Sequence, residues 1–117
     1  MWFGNVTDNF APFANLADTS LSKGLHTVVP WIPSIETVND GAAVTWPVGK
    51  VTPNAWGLSD MHGNAAEWTA SADTHGNMVV RGGSFWDRPE RAQAASRRSY
   101  EPWRQVFDVG FRIICQD

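Results

Sequence analysis

Cys115 is the only cysteine among 117 residues, which excludes an intrachain disulfide and any metal site built on paired thiolates of this chain. Charge is also scarce. Nine Lys and Arg against twelve Asp and Glu leave a net charge of −3, which argues against non-specific nucleic-acid binding. No apolar run approaches the roughly 20 residues that a membrane span needs, and no charged-then-apolar signal pattern opens the sequence. The sequence has no internal repeat and no low-complexity linker, so the chain is read as one small domain. The three histidines, His26, His62 and His75, do not have the spacing of a helical metal-ligand pair, and His62 reads as a structural hydrogen bonder.

Aromatic and turn-forming residues are plentiful. Seven Trp and six Phe offer ample apolar surface for a core, and ten Gly with seven Pro predict a loop-rich fold rather than a helical bundle. Charge is unevenly placed. All seven arginines lie from Arg81 onward beside five acids, whereas residues 1–80 hold two lysines and seven acids. The C-terminal third therefore favours internal pairing or a basic pocket.

The densest stretch is Pro53-Asn54-Ala55-Trp56-Gly57-Leu58-Ser59-Asp60-Met61-His62-Gly63-Asn64-Ala65-Ala66-Glu67-Trp68-Thr69. Asn54, Gly57, Gly63 and Asn64 tolerate positive φ, so the backbone is expected to turn back on itself repeatedly. Asp60 and Glu67 then either cap local N–H groups or converge with main-chain carbonyls on a hard cation. Around it, Val44-Thr45-Trp46 is β-prone until Pro47, and Pro30-Trp31-Ile32-Pro33 reads as a surface loop. Met78-Val79-Val80-Arg81 predicts a strand ending at Gly82-Gly83, Ala92 to Ala95 a turn of helix, and Val109 to Ile114 a closing strand. Cys115 reads as a small buried hydrophobe rather than a ligand.

The stretch from Pro53 to Thr69 resembles the central signature of the formylglycine-generating-enzyme-like domain, also called the sulfatase-modifying-factor domain. Val80-Arg81-Gly82-Gly83-Ser84-Phe85 resembles its V-x-R-G-G-S-[WF] block, and Gly110-Phe111-Arg112 its closing G-F-R. Ala14-Asn15-Leu16-Ala17-Asp18 resembles A-N-L-A-D, and Met1 to Asn5 resembles the mid-domain P-W-G-N. The resemblance covers the whole chain, residues 1–117, but only the C-terminal half of the family's domain. It implies an irregular α+β fold of low secondary-structure content, related to C-type lectins, that a preceding half or a partner domain would complete.

The resemblance also implies two structural calcium sites. One would use Asp60, Glu67 and the carbonyls of Gly63 and Ala65. The other would use Asn15, Asp40 and the carbonyls of Leu16 and Ala42, unless Asp40-Gly41 simply forms a turn and Asn15 caps a short helix. Family members that make formylglycine hold copper on two cysteines shortly after R-G-G-S. Residues 85–92 here contain none, so copper and its oxidase chemistry are not expected. Ser84 lacks a G-x-S-x-G elbow, which leaves a serine hydrolase unsupported. The expected role is a calcium-stabilised binding or scaffold module. Its ligand groove would hold Ser84, Trp86, Arg88, Arg97, Tyr100 and Trp103, and aromatics interleaved with arginines suit a peptide or a small anionic ligand. The alternative is an accessory oxidoreductase, of sulfatase-maturation or sulfoxide-synthase type, that works only with the missing half or a partner domain. Equally, the arginines can pair with Asp87, Glu90, Glu101 and Asp108 on a solvated rim.

Overall fold

A computed structural model describes residues 1–25 and 34–115. The loop expected over Pro30 to Pro33, and His26, lie outside them. Among the described residues, regular structure consists of a helix α1 (Thr19–Leu25), four strands β1 (Ala66–Ala72), β2 (Met78–Arg81), β3 (Arg98–Tyr100) and β4 (Val109–Gly110), and a 3-10 turn at Pro89–Arg91. The strands form one mixed sheet in the order β3-β2-β1-β4.

β1 and β2 pair antiparallel, with Glu67 opposite Arg81 and Ala72 opposite Met78, and a bulge lies between Trp68 and Ala72. Their connection is closed by its own residues: Oδ1 of Asp73 accepts the N–H groups of His75 and Asn77, and Gly76 supplies the positive φ. β3 continues the antiparallel pairing beyond β2, whereas β4 lies parallel to β1, with Gly110 opposite Glu67. The β2 strand thus forms where the sequence predicts it. The closing strand pairs only over Val109–Gly110, and residues 111–115 run on exposed, Cys115 among them instead of buried.

Two small apolar clusters hold the body together. Phe10, Ala14, Leu16, Val38 and Ala92 form one, and Ala17, Leu21 and Phe85 the other. Of the Trp and Phe among the described residues only Phe10 and Phe85 are buried, while Trp56 and Trp103 are each 81% exposed. The aromatic core expected from composition is therefore replaced by small residues at points of close loop approach, with most large rings at the margin. Trp2, Phe3 and Phe13 form one such marginal cluster, the rings of Phe3 and Phe13 stacked at 5.1 Å.

The helix begins at a buried cap. Oδ1 of Asp18 accepts the N–H groups of Ser20 at 2.7 Å and Leu21 at 3.3 Å, satisfying donors of the first turn. Its other oxygen accepts the N–H of Asp40, which ties the helix start to the turn at residues 38–42. No strand forms over Val44–Trp46. Nδ2 of Asn15 donates to the Val44 carbonyl, and Asn64 bonds both the N–H and the carbonyl of Trp46, so side-chain amides hold this segment in place of a neighbouring strand.

Candidate functional site

The long stretch folds into a sequence of reversals that bring four segments together. Gly57 (φ 76°), Gly63 (φ 79°) and Asn64 (φ 65°) take the left-handed conformation, as their residue types suggest. Asn54 does not. Its Oδ1 accepts the N–H groups of Trp56 and Leu58, which closes that turn with an ordinary φ, and Asp60 (φ 57°) takes the left-handed role instead. Gly63 is confined as well as turned: a Cβ there would stand 2.1 Å from the carbonyl oxygen of Asn15. Gly63 N–H donates to the carbonyl of Gly82, and Asn64 N–H donates to that of Asn15 at 2.7 Å. The loop is thus wedged between the Asn15 segment and the glycine pair after β2.

Asp60, Asn64, Ala65 and Glu67 line one cleft of about 590 Å³, with Val48 and Gly49 on one wall and Phe111 and Arg112 on another. Asp60 is buried, and Oδ2 accepts the Gly49 N–H at 2.7 Å while Oδ1 faces Nε1 of Trp46 at 3.4 Å. Glu67 meets a cation from the other end of the sequence. Arg112 donates from Nε to both carboxylate oxygens, at 3.1 and 3.0 Å, and from Nη2 to Oε1 at 2.7 Å. The same Nη2 reaches the carbonyls of Ser59 and Asp60 at 2.9 and 3.4 Å. Sheet register explains the meeting: β4 places Gly110 opposite Glu67, and Arg112 lies two residues further on. Hydrogen bonding to the Glu67 carboxylate holds the Arg112 pKa above its ordinary value.

The Asn15 segment faces a second acidic turn. Asp40 accepts the Leu16 N–H at 3.0 Å and the Ala42 N–H at 2.8 Å, so the structure brings Asn15, Leu16, Asp40 and Ala42 into one neighbourhood. Oδ1 of Asn15 is fully buried and has no hydrogen-bond partner. Burial, reinforced by the nearby Asp18 carboxylate, raises the Asp40 pKa from 3.8 to about 6 despite the two N–H groups that favour its charged form. Asp18 was not singled out by its motif, because its proximity to Asp40 depends on a turn 22 residues away.

His62 is a structural hydrogen bonder. Nδ1 lies 2.6 Å from the Ala92 carbonyl and Nε2 accepts the Trp2 N–H at 3.4 Å, which assigns the proton to Nδ1. Burial holds its pKa below 6.5. Among the described residues no three His, Cys, Asp or Glu side chains converge on one point. Any cation held here would therefore need amide and main-chain oxygens beside one or two carboxylates.

Of the six residues expected in a ligand groove, none lines the cleft of Asp60 and Glu67, and only Arg97 lines a second cavity. Ser84 is fully buried, and its hydroxyl lies 3.0 Å from Asp87 and 2.7 Å from Asp108. Arg98 spans the same two carboxylates at 3.0 and 3.5 Å. Trp86 packs edge-on against Phe85 and Phe107. Tyr100 packs against Trp68 and under the Arg104 guanidinium. Arg88 and Trp103 are exposed, and Arg97 lines a cavity beside the 3-10 turn. Ser84, Asp87, Asp108 and Arg98 form a polar knot, buried but for Arg98, whose partners lie up to 24 residues apart, which no local spacing signals.

The sequence matches the model of the sulfatase-modifying factor enzyme 1-like domain over residues 14–117. Among curated proteins it is 29% identical to the formylglycine-generating enzyme of Bos taurus, over 93% of this chain and 34% of that protein. It is 30% identical to the formylglycine-generating enzyme of Thermomonospora curvata, over 77% of this chain and 38% of that protein. Among solved structures, PvdO from Pseudomonas aeruginosa superposes with a TM-score of 0.65 at 24% identity, over 86% of this chain and 38% of that one. CarF superposes with a TM-score of 0.56 at 29% identity, over 86% and 32%. The chain spans about a third of the length of the curated relatives it matches.

Proposed function

The chain belongs to the sulfatase-modifying factor enzyme 1-like family, and from that membership we propose that it is a calcium-stabilised binding or scaffold module of lectin-related fold. The reading rests on one atom. Oδ1 of Asn15 is a buried amide oxygen without a donor, a condition that costs on the order of 1–3 kcal/mol when nothing offsets it. A hard cation bound by Asn15, Asp40 and the carbonyls of Leu16 and Ala42 would satisfy it. Such a cation would also neutralise Asp40 beside Asp18. Bound calcium supplies a multivalent positive charge that cross-links loops lacking a ladder of their own.

The second calcium would be held by Asp60, Glu67 and the carbonyls of Gly63 and Ala65. Here the donor set is partly engaged. Glu67 already has the Arg112 guanidinium, which also donates to the Asp60 carbonyl, so a calcium ion there would have to compete with Arg112 for both oxygens. Of the two sites, the one at Asn15 is the better fit.

Calcium titration should raise the melting temperature by several degrees, because a ligand bound only by the folded state adds its binding free energy to stability. Asn15→Ala and Glu67→Gln should each remove the share of the gain that belongs to their own site. Without calcium, Glu67→Gln should change stability little, since its pair with Arg112 is partly solvated and worth roughly 0.2–1 kcal/mol. A titration that moves neither melting nor the emission of Trp46 and Trp68 would overturn the reading.

A second reading draws support from the relatives, both named formylglycine-generating enzymes. An accessory oxidoreductase completed by a further segment or partner domain would keep the family's chemistry. Against it, this chain has one thiol, exposed Cys115, and so no thiolate pair for copper. Aldehyde formation on a cysteine peptide by the purified chain with added copper would favour this second reading. None is expected.

A further inference from the structure

A cavity of about 240 Å³ lies where β2, β3 and the 3-10 turn meet, and four arginines line it: Arg81, Arg91, Arg97 and Arg98. The four are not equivalent. Arg98 is neutralised from behind by Asp87 and Asp108, and so belongs to the polar knot. Arg81, Arg91 and Arg97 form no ion pair among the described residues, and all three are exposed. Nη2 of Arg81 donates to the Ala94 carbonyl, which fixes its guanidinium against the loop after the 3-10 turn without cancelling its charge. The same loop is closed by Ser96, whose hydroxyl donates to the carbonyl of Glu90. Glu90 is the one acid on the wall, so three unpaired guanidinium groups face one carboxylate. The floor includes Val80, an apolar residue of the sheet.

We propose that this cavity is a binding site for a small phosphate monoester. The charge excess is about two, and a phosphate monoester carries roughly −1.5 to −2 near neutral pH. Guanidinium forks match its tetrahedral oxygens through paired N–H donors, which an ammonium group would do less specifically. The methylene stems of the exposed Arg91 and Arg97 offer contact to the organic group that an inorganic ion lacks. Without an anion, three like charges crowd one concavity, an arrangement that a dianion relieves. The proposal deepens the binding-module reading by naming a ligand class. It uses none of the residues assigned to calcium, so either can fail alone.

The test is a calorimetric titration of the full chain with phenyl phosphate and with inorganic phosphate, at low salt, in calcium and again in EDTA. Phenyl phosphate should bind saturably with one site and more tightly than inorganic phosphate. Arg91→Gln with Arg97→Gln should weaken it by about tenfold or more, whereas Arg104→Gln, in an exposed pair with Glu101, should change it less than about twofold. Because Arg91 and Arg97 are exposed, the double variant should melt like the parent, and Arg91→Lys with Arg97→Lys should recover part of the affinity. Absence of saturable binding to the parent would overturn the proposal. So would equal weakening by Arg104→Gln, which would mark general charge attraction. Equal affinity for the two phosphates would overturn the monoester assignment. If binding persists in EDTA while calcium shifts nothing, the phosphate site stands and the calcium reading falls.

Discussion

Asp40 is the residue whose ionisation the fold resists most visibly. Its carboxyl is raised from 3.8 to about 6 by burial first and by Asp18 second. A carboxyl raised in the fold binds its proton more tightly folded than unfolded. Its contribution to stability is therefore complete below pH 3.8 and is lost as the pH rises towards about 6. In EDTA, denaturation midpoints should fall across that window, and Asp40→Asn should flatten the fall at the loss of one N–H acceptor. A profile unchanged by the substitution would remove Asp40 as its cause. Arg112 illustrates the opposite case, a charge held in place by the Glu67 carboxylate it donates to. The pair's geometry is good, but about a third of each side chain is solvated, so its weight in stability is small.

At the scale of elements, the loops rather than the strands carry the architecture, and glycine is where they meet. Gly63 and Gly57 both have φ in the left-handed region, yet a Cβ at Gly63 would strike the Asn15 carbonyl at 2.1 Å while one at Gly57 would meet nothing within 4 Å. Gly57→Ala should cost only the backbone term, about 1–2 kcal/mol. Gly63→Ala should cost clearly more in urea denaturation, because the Asn15 segment must also move. Equal losses would show that the approach of the two loops has no energetic weight. The turn at Gly63-Asn64 was legible in the sequence because residue type alone licenses it, and β2 because Met78-Val79-Val80 is β-prone before two glycines. The family was legible because its motifs are contiguous. What local pattern could not reveal is whatever joins distant turns: Arg112 on Glu67 across 45 residues, Asp108 on Ser84 across 24, and Asn64 replacing a strand partner for Trp46. Composition also misplaced the aromatics. Large rings do not fit where backbones touch, and Ala14, Ala17 and Ala92 occupy those places instead.

For the whole molecule, apolar surface is left uncovered along one border of the sheet. Phe107, Phe111, Ile113 and Ile114 are each at least 76% exposed, and among the described residues β4 has no strand beyond it. Contiguous exposed apolar surface of this kind favours association. Taken alone at high concentration, the 117-residue chain should self-associate and melt broadly. Phe111→Ser with Ile113→Ser should lower the association constant measured by sedimentation. A monomer with a sharp, concentration-independent transition would show that this border is stable in water. The end of the two central strands carries a different opportunity. The hairpin between β1 and β2 closes on Asp73 with its own main chain. Length added at its exposed tip, Thr74 to Gly76, would lengthen a loop whose two ends the strands already hold together. Each doubling of such a loop costs only about 0.6 kcal/mol. The scaffold can therefore carry a grafted epitope or reporter peptide at that tip, remote in sequence from every residue assigned to calcium at Asn15 and Asp40.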